Sequence, residues 1–168
     1  MEKAYFAGGC FWCITPTFRQ LDGVNQVISG YSGGLEENPT YEDVKYQRTG
    51  HRECICIVYD ETRIAYETLL QIFFDSVDLF DGGGQYIDRG FSYTLAVYYG
   101  REEQREVALR LLKRAELRAG RPTFVAVEPF RAFYVAEEYH QNYDLKNPEE
   151  FQKELETSGR LEKKLQGE

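Results

Sequence analysis

Two cysteines near the start of the chain carry the strongest chemical signal, in Gly8-Gly9-Cys10-Phe11-Trp12-Cys13. A strand-like run, Ala4-Tyr5-Phe6-Ala7, leads into them and a helical pattern from about Trp12 to Gln20 leads out. The glycine pair permits a sharp turn, so Cys10 falls at or just before the first turn of a helix. Unpaired N–H groups and the helix dipole favour negative charge there. A thiol so placed ionises below its free pKa of ~8.5 and yields the reactive thiolate. In helical geometry the Cα atoms of Cys10 and Cys13 are ~5 Å apart, within the span of a disulfide. Nucleophilic or redox thiol chemistry fits this pattern. Buried structural thiols and half of a zinc site fit it as well.

A carboxyl is the second chemical candidate. Arg52 to Tyr59 (RECICIVY) reads as a strand from its β-branched and aromatic residues. Alternation puts Glu53, Ile55 and Ile57 on one face and Cys54, Cys56 and Val58 on the other. Both faces are apolar apart from Glu53, as in a central strand. Glu53 then stands at the edge of an apolar environment, where desolvation raises a carboxyl pKa. Cys54 and Cys56 read as inert core thiols. His51, in a Thr-Gly-His turn, reads as a structural group satisfying backbone partners. The glycine-rich stretch Asp81 to Gly90 lacks a P-loop lysine and any G-x-G-x-x-G spacing. It reads as a loop with a ligand-facing wall.

The elements that must position these groups follow from pattern. Val24 to Tyr31 is a strand broken by Ser32-Gly33-Gly34. Thr40 caps a short helix through Val44, with Asp43 at the capping-box position. Ala65 to Val77 is amphipathic, with Leu69, Ile72, Phe73 and Val77 on one stripe. Strands Tyr93 to Tyr99 and Thr123 to Val127 flank a charged helix, Glu102 to Ala119, that ends at Gly120. Phe130 to Tyr134 reads as a loop or short extended piece, and Glu137 to Tyr143 as a helical turn carrying His140. Pro148 opens a last helix to roughly Leu165, mostly solvated. This order predicts an α+β two-layer sandwich, a mixed sheet with helices on one side. The 168 residues read as a single catalytic domain, with a core of about 3–148 and a charged helical tail 149–168.

Composition narrows the partners. A net charge of −8 disfavours nucleic acid and anionic membranes. No apolar run approaches the ~18 residues of a membrane span. The start, Met1-Glu2-Lys3-Ala4-Tyr5, lacks the basic and apolar regions of a signal peptide. The cytoplasm is the expected compartment, and there the four cysteines stay reduced, catalytic or ligating rather than bridged.

Six stretches, taken in order, resemble the peptide methionine sulfoxide reductase A family. They are Gly9-Cys10-Phe11-Trp12, Gly30-Tyr31-Ser32-Gly33-Gly34, Asn38-Pro39-Thr40-Tyr41 and Thr49-Gly50-His51-Arg52-Glu53, then Asp88-Arg89-Gly90 through Ser92-Tyr93, and Phe133-Tyr134 through Glu138-Tyr139-His140-Gln141. The resemblance covers about residues 3–148. It implies a ferredoxin-like core and reduction of methionine S-sulfoxide, free or in peptides and proteins, with no cofactor and no metal. By position, it implies Cys10 as nucleophile and Glu53 as the acid that protonates the sulfoxide oxygen. It further implies Tyr41 and Tyr93 as hydroxyl donors to that oxygen, Phe11 and Trp12 as the pocket for the substrate methyl, and Asp88 as an active-site aspartate. His140 lies in a matching motif and is given no role.

Two departures from the family pattern are visible. Many members carry Gly where this chain has Cys13; a subset carries Cys there as the resolving residue. The loop at Phe80 to Gly84 also departs from the longer His/Asn-containing loop of many members. Under this resemblance a Cys10 sulfenic acid condenses with Cys13, and thioredoxin reopens the Cys10–Cys13 disulfide. Two rival readings stand beside it: a general thiol–disulfide oxidoreductase, and a zinc-binding module using Cys10, Cys13 and Cys54 or Cys56.

Overall fold

The computed structural model describes residues 1–161. Strand β1 (Glu2–Gly8) leads into helix α1 (Phe11–Arg19), then β2 (Val24–Ser32), the short α2 (Tyr41–Lys45) and β3 (Arg52–Tyr59). Helix α3 (Tyr66–Ser76) precedes a two-residue-per-strand hairpin, β4 (Gly84–Gln85) and β5 (Asp88–Arg89). The chain continues through β6 (Leu95–Tyr99), α4 (Glu102–Ala119), β7 (Val125–Pro129), β8 (Phe133–Val135), α5 (Tyr143–Lys146) and α6 (Pro148–Ser158).

The main sheet has the order β7-β6-β1-β3-β2-β8, antiparallel except for the parallel β6–β7 pair. Its inner four strands, β6-β1-β3-β2, with α1 and α3 between them, form the split β-α-β arrangement of a ferredoxin-like core. Alternation sorts the side chains. Ala4, Phe6, Ile55, Ile57, Leu95 and Val97 face α1, α3 and α4, where they meet Phe11, Phe18, Phe73 and Leu112. Ala7, Cys54, Ala96 and Tyr98 face the other way, under Tyr5, Phe130 and Phe133. Each large apolar side chain buried there contributes about 1.5–3 kcal/mol. The two-layer α+β sandwich expected from element order is the observed one.

Local chemistry fixes several ends as expected. Thr40 Oγ1 accepts the Asp43 N–H at 3.2 Å, and Gly120 closes α4 in the left-handed region. Other segments differ from expectation. Tyr93 lies in a 3₁₀ turn, Phe91–Tyr93, and the strand begins at Leu95. The Gln47 amide holds Ser92 at both its backbone and its hydroxyl, a tertiary contact that overrides the strand-like composition. Strand β7 begins at Val125, two residues later than expected, where pairing with Leu95 starts. Of the two readings for Phe130 to Tyr134, the extended one holds for Phe133–Val135, which is an edge strand on β2. Gly30 permits it, because a Cβ there would meet Phe133 Cζ at 2.3 Å and the Tyr134 carbonyl at 2.5 Å. The far end of the expected last helix, toward Leu165, lies outside the described residues.

Candidate active site

Cys10 sits at the N-cap of α1 with 8% of its surface exposed and makes no side-chain cap. Gly9, at φ +82°, makes the turn that sets it there. The first turn of α1 contains no acidic residue. Its first N–H, on Phe11, instead donates to Glu53 Oε1 at 3.2 Å, so a carboxyl from β3 caps the helix that carries the thiols. The Cys13 N–H donates to the Cys10 carbonyl at 3.1 Å. Pro16 lies inside α1 and has no N–H, which removes the in-helix partner of the Trp12 carbonyl.

These groups line a cavity of about 340 Å³. Its walls include Cys10, Trp12, Cys13, Tyr41, Glu53, Asp88 and Tyr93. Seven of the eight site residues expected from sequence therefore meet at one cavity. Phe11 does not line it: the ring is fully buried, tilted against Tyr31 and His140. Its place is underneath Trp12, and its N–H is the contact that orients Glu53. A larger cleft of about 720 Å³, bordered by Phe74, Phe80, Tyr86 and Arg121, contains no thiol.

Burial dominates the electrostatics. Glu53 is 1% exposed, and desolvation pushes its pKa up to about 8. The Phe11 N–H and the Tyr93 hydroxyl, which hydrogen-bond it, and the Asp88 carboxyl, which repels its charge, modulate that shift. The carboxyl is therefore largely neutral at pH 7. Tyr41 and Tyr93 are raised by burial and then by the Glu53 charge, so both hydroxyls keep their protons. The helix-end argument alone places a thiolate on Cys10; the folded site reverses it. The Cys13 contact, burial, and the Glu53 and Asp88 carboxyls raise the Cys10 thiol well above the usual range. Cys13 moves the opposite way: the Cys10 contact lowers it against burial, and Arg160 lowers it further.

Distant segments hold the Trp12 wall in place. Tyr143 stacks on the indole at 3.8 Å and 9°. An Arg19–Asp144 ion pair at 2.6 Å ties α1 to α5 and so brings that ring to Trp12. The Trp12 indole N–H donates to Nδ1 of buried His140. Gln141 clamps the His140 segment to β2 through the Ser29 N–H and carbonyl, both at 2.9 Å. Glu137 accepts from the Tyr31 hydroxyl at 2.8 Å and the Tyr41 N–H at 3.0 Å, capping α2 from a distance as Glu53 caps α1.

Sequence reasoning gave no site role to Glu137, Gln141 or the C-terminal helix. Glu154 and Ser158 of α6 line the cavity, together with Lys45 and Ile87. The last helix is mostly exposed, as expected, yet through these two residues it closes one side of the site. His51 is structural as read: fully buried, it takes the Gly34 N–H on Nδ1 at 3.1 Å, with Nε2 2.8 Å from the Glu36 carbonyl. Cys54 and Cys56 are buried, Cys54 against the opposite sheet face. Among the described residues no group of three or more His, Cys, Asp or Glu side chains is arranged to hold a metal ion. No helix among them is long and apolar enough to cross a membrane.

Fold and cavity together define an α+β protein equipped for cysteine chemistry. A family model for peptide methionine sulfoxide reductase matches residues 2–167. A relative from Streptococcus agalactiae serotype III (strain NEM316), peptide methionine sulfoxide reductase MsrA, is 42% identical over 150 residues, covering 88% of this chain and 89% of its own. An MsrA of Bacillus velezensis (strain DSM 23117 / BGSC 10A6 / LMG 26770 / FZB42) is 42% identical over 162 residues, 95% of this chain and 91% of its own. The chain belongs to the peptide methionine sulfoxide reductase family, a family of oxidoreductases. Among solved structures, reduced Mxr1 from Saccharomyces cerevisiae superposes with a TM-score of 0.83 at 26% identity, covering 88% of this chain and 86% of that one. Mxr1 in complex with Trx2 shares the fold at 19% identity and a TM-score of 0.57, covering 84% of each chain.

Proposed function

We propose that this chain reduces the S-epimer of methionine sulfoxide, free or in peptides and proteins, through Cys10, Glu53 and Cys13. The observation that carries the reading is the juxtaposition of the Cys10 thiol with a buried, neutral Glu53 carboxyl in one cavity. Reducing a sulfoxide needs a soft nucleophile and a proton on the departing oxygen. Glu53 gives its proton to the sulfoxide oxygen, and the Cys10 proton passes to Glu53 as sulfur attacks. The substrate S–O bond breaks and an S–O bond forms on Cys10. Methionine sulfur gains two electrons and Cys10 loses them, leaving a sulfenic acid.

Placement in the cavity supports the remaining roles. Tyr41 and Tyr93, held neutral, donate hydrogen bonds to the oxygen as charge develops on it. Trp12 walls the methyl group, and Phe11 supports that wall from the core. Asp88 keeps a second carboxyl beside Glu53 and helps hold its proton. Cys13 then closes a disulfide on Cys10, and a dithiol of the thioredoxin class reopens it. The complex of Mxr1 with Trx2 supports that choice of reductant. The cytoplasm, with its reduced thiol pool, suits the cycle.

A thiol count before and after one equivalent of methionine S-sulfoxide, with no reductant present, tests the reading. Loss of two thiols with release of one methionine is the expected result. An intact thiol count in folded protein excludes it and returns the general thiol–disulfide reading.

A further inference from the structure

Arg160 lies beyond the stretch of the chain whose residues suggested the site, yet it reaches the turn that carries Cys10. Helix α6 ends at Ser158, and Gly159 turns the chain in the left-handed region at φ +85°. The Arg160 N–H donates to Ser158 Oγ at 3.2 Å. The side chain then runs inward. Its guanidinium lies 4.7 Å from the Tyr86 ring centre, with Nη2 3.5 Å from the Gly8 carbonyl. A Cβ at Gly9 would stand 2.9 Å from that nitrogen, which shows how closely the guanidinium approaches the turn.

Among the described residues no carboxylate lies within salt-bridge distance of the Arg160 guanidinium, and its Nε is buried without a hydrogen-bond partner. The groups acting on Cys13 are Cys10 at the N-cap of α1, Glu53 on β3, Asp88 on β5, Glu154 on α6 and Arg160. Lys45 of α2 reaches Asp88 and Glu154. Asp88 and Glu154 oppose a negative charge on Cys13, and Arg160 favours it.

We propose that Arg160 is a positioning residue for disulfide closure: its guanidinium, laid against the Gly8–Gly9 turn, sets positive charge at the base of the helix end that carries Cys10 and Cys13 and so governs how fast Cys13 attacks an oxidised Cys10. The proposal rests on the sulfenic-acid route above. In that step the Cys13 thiolate attacks the Cys10 sulfenic sulfur. An S–S bond forms, the S–O bond breaks, and the oxygen leaves as water with the proton lost by Cys13. Cys13 sulfur is oxidised by one electron and Cys10 sulfur is reduced by one. A cation at that helix end favours the Cys13 thiolate and raises the fraction available at neutral pH.

Rapid-mixing measurements on wild type, Arg160→Gln, Arg160→Met and Arg160→Lys test this. Each reduced protein is mixed with one equivalent of methionine S-sulfoxide, and methionine release and thiol loss are followed separately across about pH 6 to 9.5. Removing the charge in R160Q and R160M is expected to move the midpoint of disulfide closure up by about one pH unit and slow closure roughly tenfold at pH 7. Arg160→Lys restores the midpoint. Closure in R160Q and R160M at the wild-type rate and midpoint overturns the proposal. A shift that R160K fails to reverse also overturns it, since packing rather than charge then explains the effect. Failure of wild type to release methionine, or closure in Cys13→Ser as fast as in wild type, rejects the sulfenic-acid route itself and is thereby distinguished.

Discussion

The Trp12 indole N–H donates to Nδ1 of His140 at 3.0 Å, linking residues 128 positions apart at the wall of the cavity. For Nδ1 to accept, neutral His140 must carry its proton on Nε2, an assignment that follows from the hydrogen bond. Burial lowers the ring's pKa to about 4, against the pull of Glu137. His140 is therefore an uncharged acceptor throughout the neutral range. Replacing it with Leu orphans the indole N–H, at an expected cost of about 1–3 kcal/mol, and loosens the Trp12 wall. A raised KM for methionine S-sulfoxide and a lower denaturation midpoint are the expected outcomes. An unchanged KM would remove His140 from the support of that wall.

The same group sets a pH dependence of stability. Its folded pKa of about 4 lies below the unfolded value of ~6.5. Between those values the unfolded chain binds more protons, so this contribution grows as pH rises from about 4 to 6.5 and is lost as pH falls through that window. Urea unfolding of wild type against His140→Leu should show a shallower acid-side slope in the variant.

Glu53 works with the opposite sign. Its folded pKa of about 8 exceeds the model-peptide value near 4.3. The folded chain holds a proton that the unfolded chain has released, so this contribution is present at acid pH and lost as pH climbs through about 8. Methionine release should fall on the same limb, as the acid is consumed. Glu53→Gln removes that limb and lowers the methionine-release rate by about 10²–10⁴-fold. A Gln variant that retains the alkaline limb would assign it to another group.

The four thiols should separate cleanly by substitution. Cys10→Ser abolishes methionine release. Cys13→Ser releases one methionine per chain and then stops when thioredoxin is the reductant. Cys54→Ala and Cys56→Ala leave turnover nearly intact, because both thiols are buried and Cys54 packs under Tyr98 on the far sheet face. Product stoichiometry by amino-acid analysis, beside circular dichroism for folding, checks all four.

Gly9→Ala is expected to harm both fold and chemistry. Its φ of +82° is strained for any L side chain, at about 1–3 kcal/mol. The new methyl would also meet the Gln85 Cβ at 2.8 Å. Gln85 is fully buried and bonds the Asp78 N–H and carbonyl, both at 2.9 Å, so it cannot retreat freely. A lower melting midpoint together with slower methionine release is the outcome to look for. Wild-type values in both would show that the turn has slack.

The part of this molecule legible in its sequence is the part written in short-range or periodic terms. Gly-Gly before Cys10 forces a turn, alternation places Glu53 with Ile55 and Ile57, and Thr40 with Asp43 makes a cap; each is decided within a few residues. The misread pieces are decided by distant partners. Tyr93 leaves the strand because Gln47 holds Ser92. Phe133–Val135, where pattern leaves a loop and an extended piece both open, is a strand because Gly30, about a hundred residues earlier, has no side chain. Helix α6 is mostly exposed as read, but its contribution to the cavity goes unseen because Glu154 and Ser158, which it turns to the cavity, are polar. Hydropathy detects a face that meets an apolar core, not one that meets a polar pocket. The ionisation of Cys10 departs from the helix-end expectation because that argument leaves out the Cys13 contact and burial, to which the Glu53 and Asp88 carboxyls add.

The distance in sequence between Cys10 and Arg160 has a consequence for biosynthesis. At about 5–20 residues per second, translation needs roughly 8–30 s to travel from one to the other. During that interval the nascent chain carries its first two cysteines without the helix that later borders their cavity, and without the His140 segment that braces Trp12. The thiol pair emerges early and its enclosure comes last, so the growing polypeptide passes through a stage in which these cysteines meet ambient oxidants before the sheltering walls exist.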